Sequence, residues 1–151
     1  MNPSTERQCG TCTRCCEGWL TGTIREHEMR PGTPCHFLRE QRCTIYAERP
    51  EHPCRQFVCG WLMADSPFKD DERPDLLGVI IVPIRWREQR AWVLAYAGKE
   101  PDEALLERMR EHTRATGEPH MIKKPGRLLC YGVPEFQQDM AALAQRGENP
   151  W

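Results

Sequence analysis

The sequence predicts an α+β fold in which a cysteine-rich lobe with little regular structure precedes a small antiparallel sheet with two helices. Eight of the nine cysteines lie between Cys9 and Cys59, where apolar runs are short. After residue 76 the composition changes, because two β-branched and aromatic runs appear and are followed by segments with helical spacing of apolar residues. This change indicates a lobe and a body of different construction.

The length of the chain favours one domain, or one domain with a small lobe attached. At 151 residues it can bury one modest core and has no room for two large domains. Residues 64–75 are polar and contain two prolines, which is typical of an exposed loop. We therefore place the cysteine-rich lobe at residues 1–63 and the body at residues 76–151, and expect the two to form one compact unit.

Local sequence in the lobe favours turns. Between Cys9 and Cys16, Gly10 and small threonines suit a tight turn that is neither helix nor strand and that directs amides and sulfurs inward. A short strand is predicted at residues 19–24, and prolines with a glycine at residues 30–34 interrupt the chain. Regular structure should therefore be sparse here.

The body begins with a predicted hairpin between Leu76 and Ala97. Its two apolar runs are separated by a polar turn at residues 87–90. Residues 79–82 are apolar at every position, so both faces of the sheet should be covered. Pro83 has no backbone N–H, which predicts a bulge or an edge strand at this point.

Two helices and a second strand region complete the body. One helix is predicted at residues 101–116, with acidic residues in its first turn and His112 on its inner face as a satisfied core histidine. The other is predicted at residues 134–146, with Gly147 as its stop. One or two short strands are expected between them, at residues 121–132.

Charge and sequence at the amino terminus limit the range of functions. The net charge is −1 and the pI is near 6.5, with no block of like charge, which does not favour a nucleic-acid partner or a membrane surface. The amino-terminal residues have no features of an export signal, and no segment approaches the roughly 18 apolar residues of a membrane span. A cytoplasmic location is expected. Thiols in that reducing compartment bind metals more often than they form disulfides.

The clustered cysteines have the spacing of metal ligands. Cys9, Cys12 and Cys15 repeat the CxxC spacing, which lets sulfurs share an ion about 2.3 Å away while amides donate to them. All-sulfur coordination suits zinc and iron–sulfur clusters equally, and the spacing does not separate the two. The lobe has too little apolar surface to fold alone, so the metal should contribute to its folding. The predicted metal ligands are Cys9, Cys12, Cys15, Cys16, Cys35, Cys43, Cys54 and Cys59.

Several arrangements of these ligands remain open from the sequence. Eight sulfurs permit two four-sulfur sites, one four-iron cluster with a spare set, or a compact site with bridging thiolates. Cys15 and Cys16 are adjacent, and neighbouring side chains seldom close a relaxed site around one ion. They should therefore serve two metals, or one thiol should stay outside the site. Cys130 lies far from the others in an apolar run and is expected to be a small buried core residue.

Side chains near the predicted ligands have supporting roles in this interpretation. His36 and His52 lie beside ligand cysteines and are expected to form hydrogen bonds or face solvent. Tyr46 is expected to pack over the cluster. Arg49 is expected to form a salt bridge or to donate an N–H to a sulfur.

The cysteine strings resemble a known family. CGTCTRCC at residues 9–16, CHFL at 35–38, CTIY at 43–46 and CRQFVC at 54–59 are similar to the CxxCxxCC cysteine-cluster family, also called YkgJ-type or UPF0153 proteins. The resemblance covers about residues 9–61, with all eight family cysteines in order. It implies a zinc- or iron-chelating domain. The same motif occurs in flagellin lysine N-methylases, which are associated with an iron–sulfur cluster.

Two function hypotheses follow. In the first, the chain is a metal-binding protein of unknown cellular role, whose protein or small-molecule partner the sequence does not specify. In the alternative, it is an iron–sulfur redox or group-transfer enzyme related to the flagellin methylases. The sequence contains no nucleophile elbow, P-loop, HExxH or CxxxCxxC motif, so no catalytic residue is assigned and enzyme activity stays open.

Overall fold

A computed structural model describes residues 7–148, and these have the predicted α+β architecture. The lobe contains two small antiparallel hairpins, β1 (Gly22–Ile24) with β2 (His27–Met29), and β3 (Leu38–Arg39) with β4 (Arg42–Cys43). The lobe and the loop after it also contain single helical turns, at Cys15–Trp19, Tyr46–Glu48, Glu51–Arg55, Gly60–Leu62 and Asp70–Glu72. The prediction of no helix between Cys9 and Cys16 is thus wrong for Cys15 and Cys16, which begin a helical turn.

The body is a four-stranded sheet with its strands side by side in chain order. A short helix, α1 (Pro74–Leu77), precedes it. The strands are β5 (Val79–Trp86), β6 (Gln89–Tyr96), β7 (His120–Lys124) and β8 (Arg127–Tyr131). Helix α2 (Glu103–Thr116) connects β6 to β7, and helix α3 (Pro134–Gln145) follows β8. The predicted hairpin, both helices and the second strand region are confirmed.

One detail of the predicted sheet is corrected. The hairpins β5–β6 and β7–β8 are antiparallel, but β6 and β7 pair in parallel, so the sheet is mixed. Helix α2 is the reason, because it carries the chain back along the sheet before β7 begins. Strand β5 is an edge strand with an uninterrupted register, which confirms the edge position predicted for Pro83.

Both faces of the sheet are covered, as the apolar run at residues 79–82 predicts. On one face, α2 and the segment 59–68 pack around Trp92, which is fully buried. On the other face, α3 contributes Phe136 and Met140 to a second cluster. The segment that leaves the lobe is therefore part of the core of the body. Trp19 adds an edge-on ring contact with Tyr96, with ring centroids 5.7 Å apart.

Both helices begin and end close to the predicted positions. Asp102 precedes α2 and its carboxylate accepts a hydrogen bond from the amide of Leu105 at 2.8 Å, so it caps the helix. Gly117 follows with φ 77°, a left-handed conformation suited to a helix stop. Pro134 lies in the first turn of α3, as predicted.

A polar network joins the end of α2 to the start of β7. The Glu118 carboxylate accepts a hydrogen bond from Trp92 Nε1 at 2.7 Å and lies 2.8 Å from His112 Nε2, which satisfies the predicted core histidine. Thr113 Oγ1 donates to the carbonyl of Glu118 at 2.8 Å, so it accepts from Nδ1–H of His120 at 2.7 Å. His120 is fully buried, and its Nε2 has no hydrogen-bond partner among the described residues.

This buried imidazole makes stability depend on pH. Burial, with smaller effects of His112 and Arg110, lowers the pKa of His120 from 6.5 to about 4. The unfolded chain therefore takes up a proton near pH 6.5 and the folded chain does not. Stability from the neutral ring is complete above pH 6.5 and is lost as the pH falls toward 4.

We expect the free energy of unfolding of the wild type to fall by about 3 kcal/mol more than that of His120→Phe between pH 7 and pH 4. Phenylalanine keeps a ring to stack on Tyr131, whose centroid lies 4.9 Å from that of His120. Urea denaturation of both proteins across this range measures the difference, and titration of the cysteines cancels because both proteins share it. Parallel curves would contradict the assignment.

Among the described residues, 7–148, no helix is long and apolar enough to cross a membrane.

Candidate metal centre

The eight predicted ligands are free thiols, and the first four of them lie in two consecutive turns. The amide of Cys12 donates to the carbonyl of Cys9 at 2.8 Å and closes the first turn. The helical turn Cys15–Trp19 then separates two adjacent thiols. Cys15 packs against the core cluster that includes α3, whereas Cys16 packs in the small apolar cluster of the lobe. The cysteine string at residues 9–16 thus supplies sulfurs both to the core of the body and to the apolar cluster of the lobe.

The first set of sulfurs lies against the sheet. It consists of Cys9, Cys12, Cys15 and Cys59 and is called the sheet group here. Burial raises the pKa of the Cys15 thiol well above its ordinary value, and the thiols of Cys59, Cys16, Cys12 and Cys9 add to the rise. Burial also raises the pKa of Cys59 to about 12, with Cys12 and Cys9 contributing. These contributions place Cys9, Cys12, Cys15 and Cys59 near one another, with Cys16 beside Cys15 as its neighbour in the chain.

Backbone amides point at two sulfurs of the sheet group. Cys59 accepts hydrogen bonds from the amides of Trp61 and Ile81, and Cys12 accepts from those of Arg14 and Asp75. The Ile81 amide is available because it points away from β6, at the free edge of β5. Such N–H donors stabilise a thiolate, as in the turns that hold metal-bound cysteines.

The second set of sulfurs lies inside the lobe. It consists of Cys16, Cys35, Cys43 and Cys54 and is called the lobe group here. The amide of Cys35 donates to the carbonyl of Cys16 at 2.8 Å, and both side chains share an apolar cluster with Cys54. Cys43 lies opposite Leu38, whose amide donates to the carbonyl of Cys35 at 3.0 Å. Burial raises the pKa of Cys16 to about 12, and Cys35, Cys43, Cys54 and, with the smallest effect, Cys9 of the sheet group add to that rise.

The chemistry of both groups fits a metal that binds thiolates. Sulfurs that raise one another's pKa cannot all ionise together unless a cation offsets their charge, and a bound metal supplies that charge as the protons leave. Within residues 7–148, no three His, Cys, Asp or Glu side chains already stand in a metal-ligating arrangement. The two groups are therefore neighbourhoods of sulfurs and not closed coordination spheres.

Arg49 interacts with both groups. Its charge lowers the pKa of Cys9 in the sheet group and of Cys54 in the lobe group, although burial has the larger, opposite effect on each. The Nε of Arg49 is buried and has no hydrogen-bond acceptor among the described residues. Tyr46, expected to pack over the cluster, is instead 56% exposed, and its ring centroid lies 3.8 Å from Arg49 Cζ. Tyr46 therefore supports Arg49 through a cation–π contact.

We expect Arg49→Gln to weaken metal binding by about tenfold, because it removes a cation that faces thiolates of both groups. Arg49→Lys should recover part of the loss, since it restores the charge without the planar donors. Competition with a chromogenic chelator measures the affinity. Arg55→Gln is the control, because exposed Arg55 donates to the carbonyl of Ala47 instead. Equal affinities of Arg49→Gln and the control would contradict this role.

One further pair beside the sheet group could not be predicted from the sequence. Arg73 binds the carboxylate of Asp75 through Nε at 2.6 Å and Nη2 at 2.7 Å, and Nη2 also reaches Thr11 Oγ1 at 3.2 Å. Its charge lowers the pKa of Cys9, against the larger effect of burial. Both residues lie within residues 64–75, which the sequence predicts to be an exposed loop. No spacing rule connects them with cysteines more than 60 positions earlier, so only the tertiary fold reveals the contact.

A cleft of about 610 Å³ adjoins the sheet group. Its lining includes Gln8, Trp61, Arg73 and Leu76. Gln8 precedes Cys9 in the chain, and the amide of Trp61 points at the sulfur of Cys59. The cleft therefore lies beside the segments that carry Cys9 and Cys59, although no cysteine is among its described lining residues.

The other candidate side chains lie outside both sulfur groups. His36 is exposed and stacks on His27 with ring centroids 3.7 Å apart, and exposed His52 lies within hydrogen-bonding distance of Gln56 at 3.1 Å. The expectation of hydrogen-bonding or solvent roles is confirmed for both. Cys130 packs against the core as predicted but is only half-buried, which corrects the prediction that it is a buried residue.

Comparisons with protein-family models, curated proteins and solved structures give no match for this chain. The resemblance of residues 9–61 to the CxxCxxCC family therefore stays a hypothesis that rests on the cysteine strings themselves.

Proposed function

We propose that this chain is a metal-binding protein that holds zinc or an iron–sulfur cluster through its eight clustered cysteines. The convergence of eight free thiols, from segments far apart in sequence, into two partly buried neighbourhoods is the observation that supports this most. Thiols whose pKa is raised by burial and by one another stay protonated at neutral pH, and a bound metal would replace their protons and offset the charge of the thiolates. The proposed ligands are Cys9, Cys12, Cys15, Cys16, Cys35, Cys43, Cys54 and Cys59.

Amides and cations around the sulfurs add support. The amides of Trp61, Ile81 and Asp75 point at sulfurs, and Arg49 and Arg73 bring positive charge close to Cys9. This environment would stabilise thiolate ligands and orient them toward a metal. The CxxCxxCC resemblance is part of the proposal and agrees with it. We also propose a cytoplasmic location, because a reducing compartment keeps the thiols available for metal.

The alternative is an iron–sulfur redox or group-transfer enzyme related to flagellin lysine N-methylases. The cleft beside the sheet group favours it, since a small molecule there would lie near the segments that carry Cys9 and Cys59. A bound cluster would supply electron transfer, and Trp61 and Arg73 would contact the molecule in the cleft. This candidate requires iron, whereas the metal-binding proposal accepts zinc or iron.

Metal analysis with an absorption spectrum, on protein purified without oxygen, tests both. Iron with acid-labile sulfide and a broad visible band would support a bound iron–sulfur cluster and would favour the enzyme alternative. Zinc without a visible band would make the sites structural and would exclude the iron–sulfur enzyme. Protein that contains neither metal, and takes up neither after reduction of its thiols, would contradict the proposal.

A further inference from the structure

We propose that the eight cysteines form two separate four-sulfur metal sites, one for the sheet group and one for the lobe group. The division rests on the proposed metal binding and adds to it which ligands share a site. The sheet site consists of Cys9, Cys12, Cys15 and Cys59. The lobe site consists of Cys16, Cys35, Cys43 and Cys54.

The divergence of Cys15 and Cys16 is the first step of the argument. These adjacent side chains enter different apolar clusters, one built on the sheet and the other inside the lobe. A single ion would require both to turn inward at the same point, which neighbouring residues rarely do without strain. Two sites let each thiol keep the direction that its packing gives it.

The lobe site is assembled by contacts internal to the lobe. The hydrogen bond from Cys35 to Cys16 and the β3–β4 pairing position three of its cysteines. Cys54 joins them because the turn that carries it packs on β1, where a Cβ added at Gly22 would lie 2.9 Å from Pro53 Cγ. None of these contacts uses the four-stranded sheet.

The sheet site is assembled by the body. Cys59 belongs to the core cluster that includes Trp92, and Cys15 packs against the cluster on the opposite face of the sheet. The two thiols approach each other at the free edge of β5, where the sulfur of Cys59 accepts a hydrogen bond from the amide of Ile81. Arg73, which precedes α1 and β5 in the chain, holds the turn from Cys9 to Cys12 against the body. Its Nη2 donates a hydrogen bond to Oγ1 of Thr11 in that turn. Four sulfurs in each place match the ligand number of a tetrahedral zinc site or a four-cysteine cluster.

Cadmium-113 NMR of the full chain tests the division. Cadmium-loaded wild type should give two resonances of the all-sulfur type, from two ions per chain. Cys12→Ser should remove or shift one resonance, and Cys54→Ser the other. The double variant Cys12→Ser/Cys54→Ser should affect both, whereas Cys9→Ser/Cys12→Ser should affect only one. Cys130→Ser is the control and should leave both in place. One resonance in the wild type, or variants of both groups acting on the same resonance, would overturn the division.

Thiol alkylation of the wild type makes the test independent of variant folding. During stepwise release of metal by a chelator, mass spectrometry should find the cysteines labelled in two sets of four that match the two groups. Labelling as one set of eight, or in sets that mix the groups, would also overturn the division. Complete labelling before chelation, with no metal bound, would instead contradict metal binding itself.

Discussion

Removal of the proposed metal is expected to unfold residues 20–56 while the four-stranded sheet stays ordered. Three buried residues, Ile24, Met29 and Cys35, form the core of the lobe, whereas each face of the sheet has a cluster of eleven. So small a core cannot offset the entropy of ordering this segment. Metal binding, on the order of 10 kcal/mol for a structural zinc site, would supply the missing free energy.

Hydrogen–deuterium exchange on loaded and stripped protein measures this effect. Amides of residues 20–56 should lose their protection on stripping, and those of β5–β8, α2 and α3 should keep most of theirs. The change should occur near Phe57, because the segment from there packs against the core of the body. Reloading the metal should restore protection. Loss of protection throughout the chain would show that lobe and body unfold as one unit, and no loss in the lobe would show that it folds without metal.

The elements of the body could be predicted because their signals are local. The β-branched runs, Asp102 before its helix and the glycine that ends it are readable within a few residues. The parallel pairing of β6 with β7 is different, since a hairpin, a helix and a second hairpin can meet along either strand edge. That choice depends on how α2 packs across the sheet, so no short segment of the sequence predicts it.

The candidate site shows the same division between local and distant information. The clustering of eight cysteines between Cys9 and Cys59 indicates the candidate thiols, and the adjacency of Cys15 and Cys16 favours two destinations for their sulfurs. The assignment of Cys59 to the sheet group could not be predicted, because it depends on the Ile81 amide at a sheet edge. Arg73 was missed for a related reason, since its approach to Cys9 depends on α1 and β5 being in place.

Gly18→Ala is expected to destabilise the lobe by about 4 kcal/mol, the upper range for a single substitution. Gly18 is buried, has φ 103° and lies two residues after Cys16. A Cβ at this position would be 1.9 Å from the carbonyl oxygen of Arg30 and 2.4 Å from its carbon. Both partners are backbone, so the two turns must separate. The hydrogen bond between Cys16 and Cys35 spans the same junction and would be disturbed with them.

Gly32→Ala is the matched control for this substitution. Gly32 also has a positive φ, 87°, but a Cβ there would have no neighbour within 4 Å. Its alanine variant should therefore cost only the left-handed backbone strain, roughly 1–2 kcal/mol. Urea denaturation of metal-loaded protein, followed by tryptophan fluorescence, compares the two. The excess cost of Gly18→Ala measures the close approach of the turns that bring Cys16 to Cys35, and equal costs would show that the lobe does not need that approach.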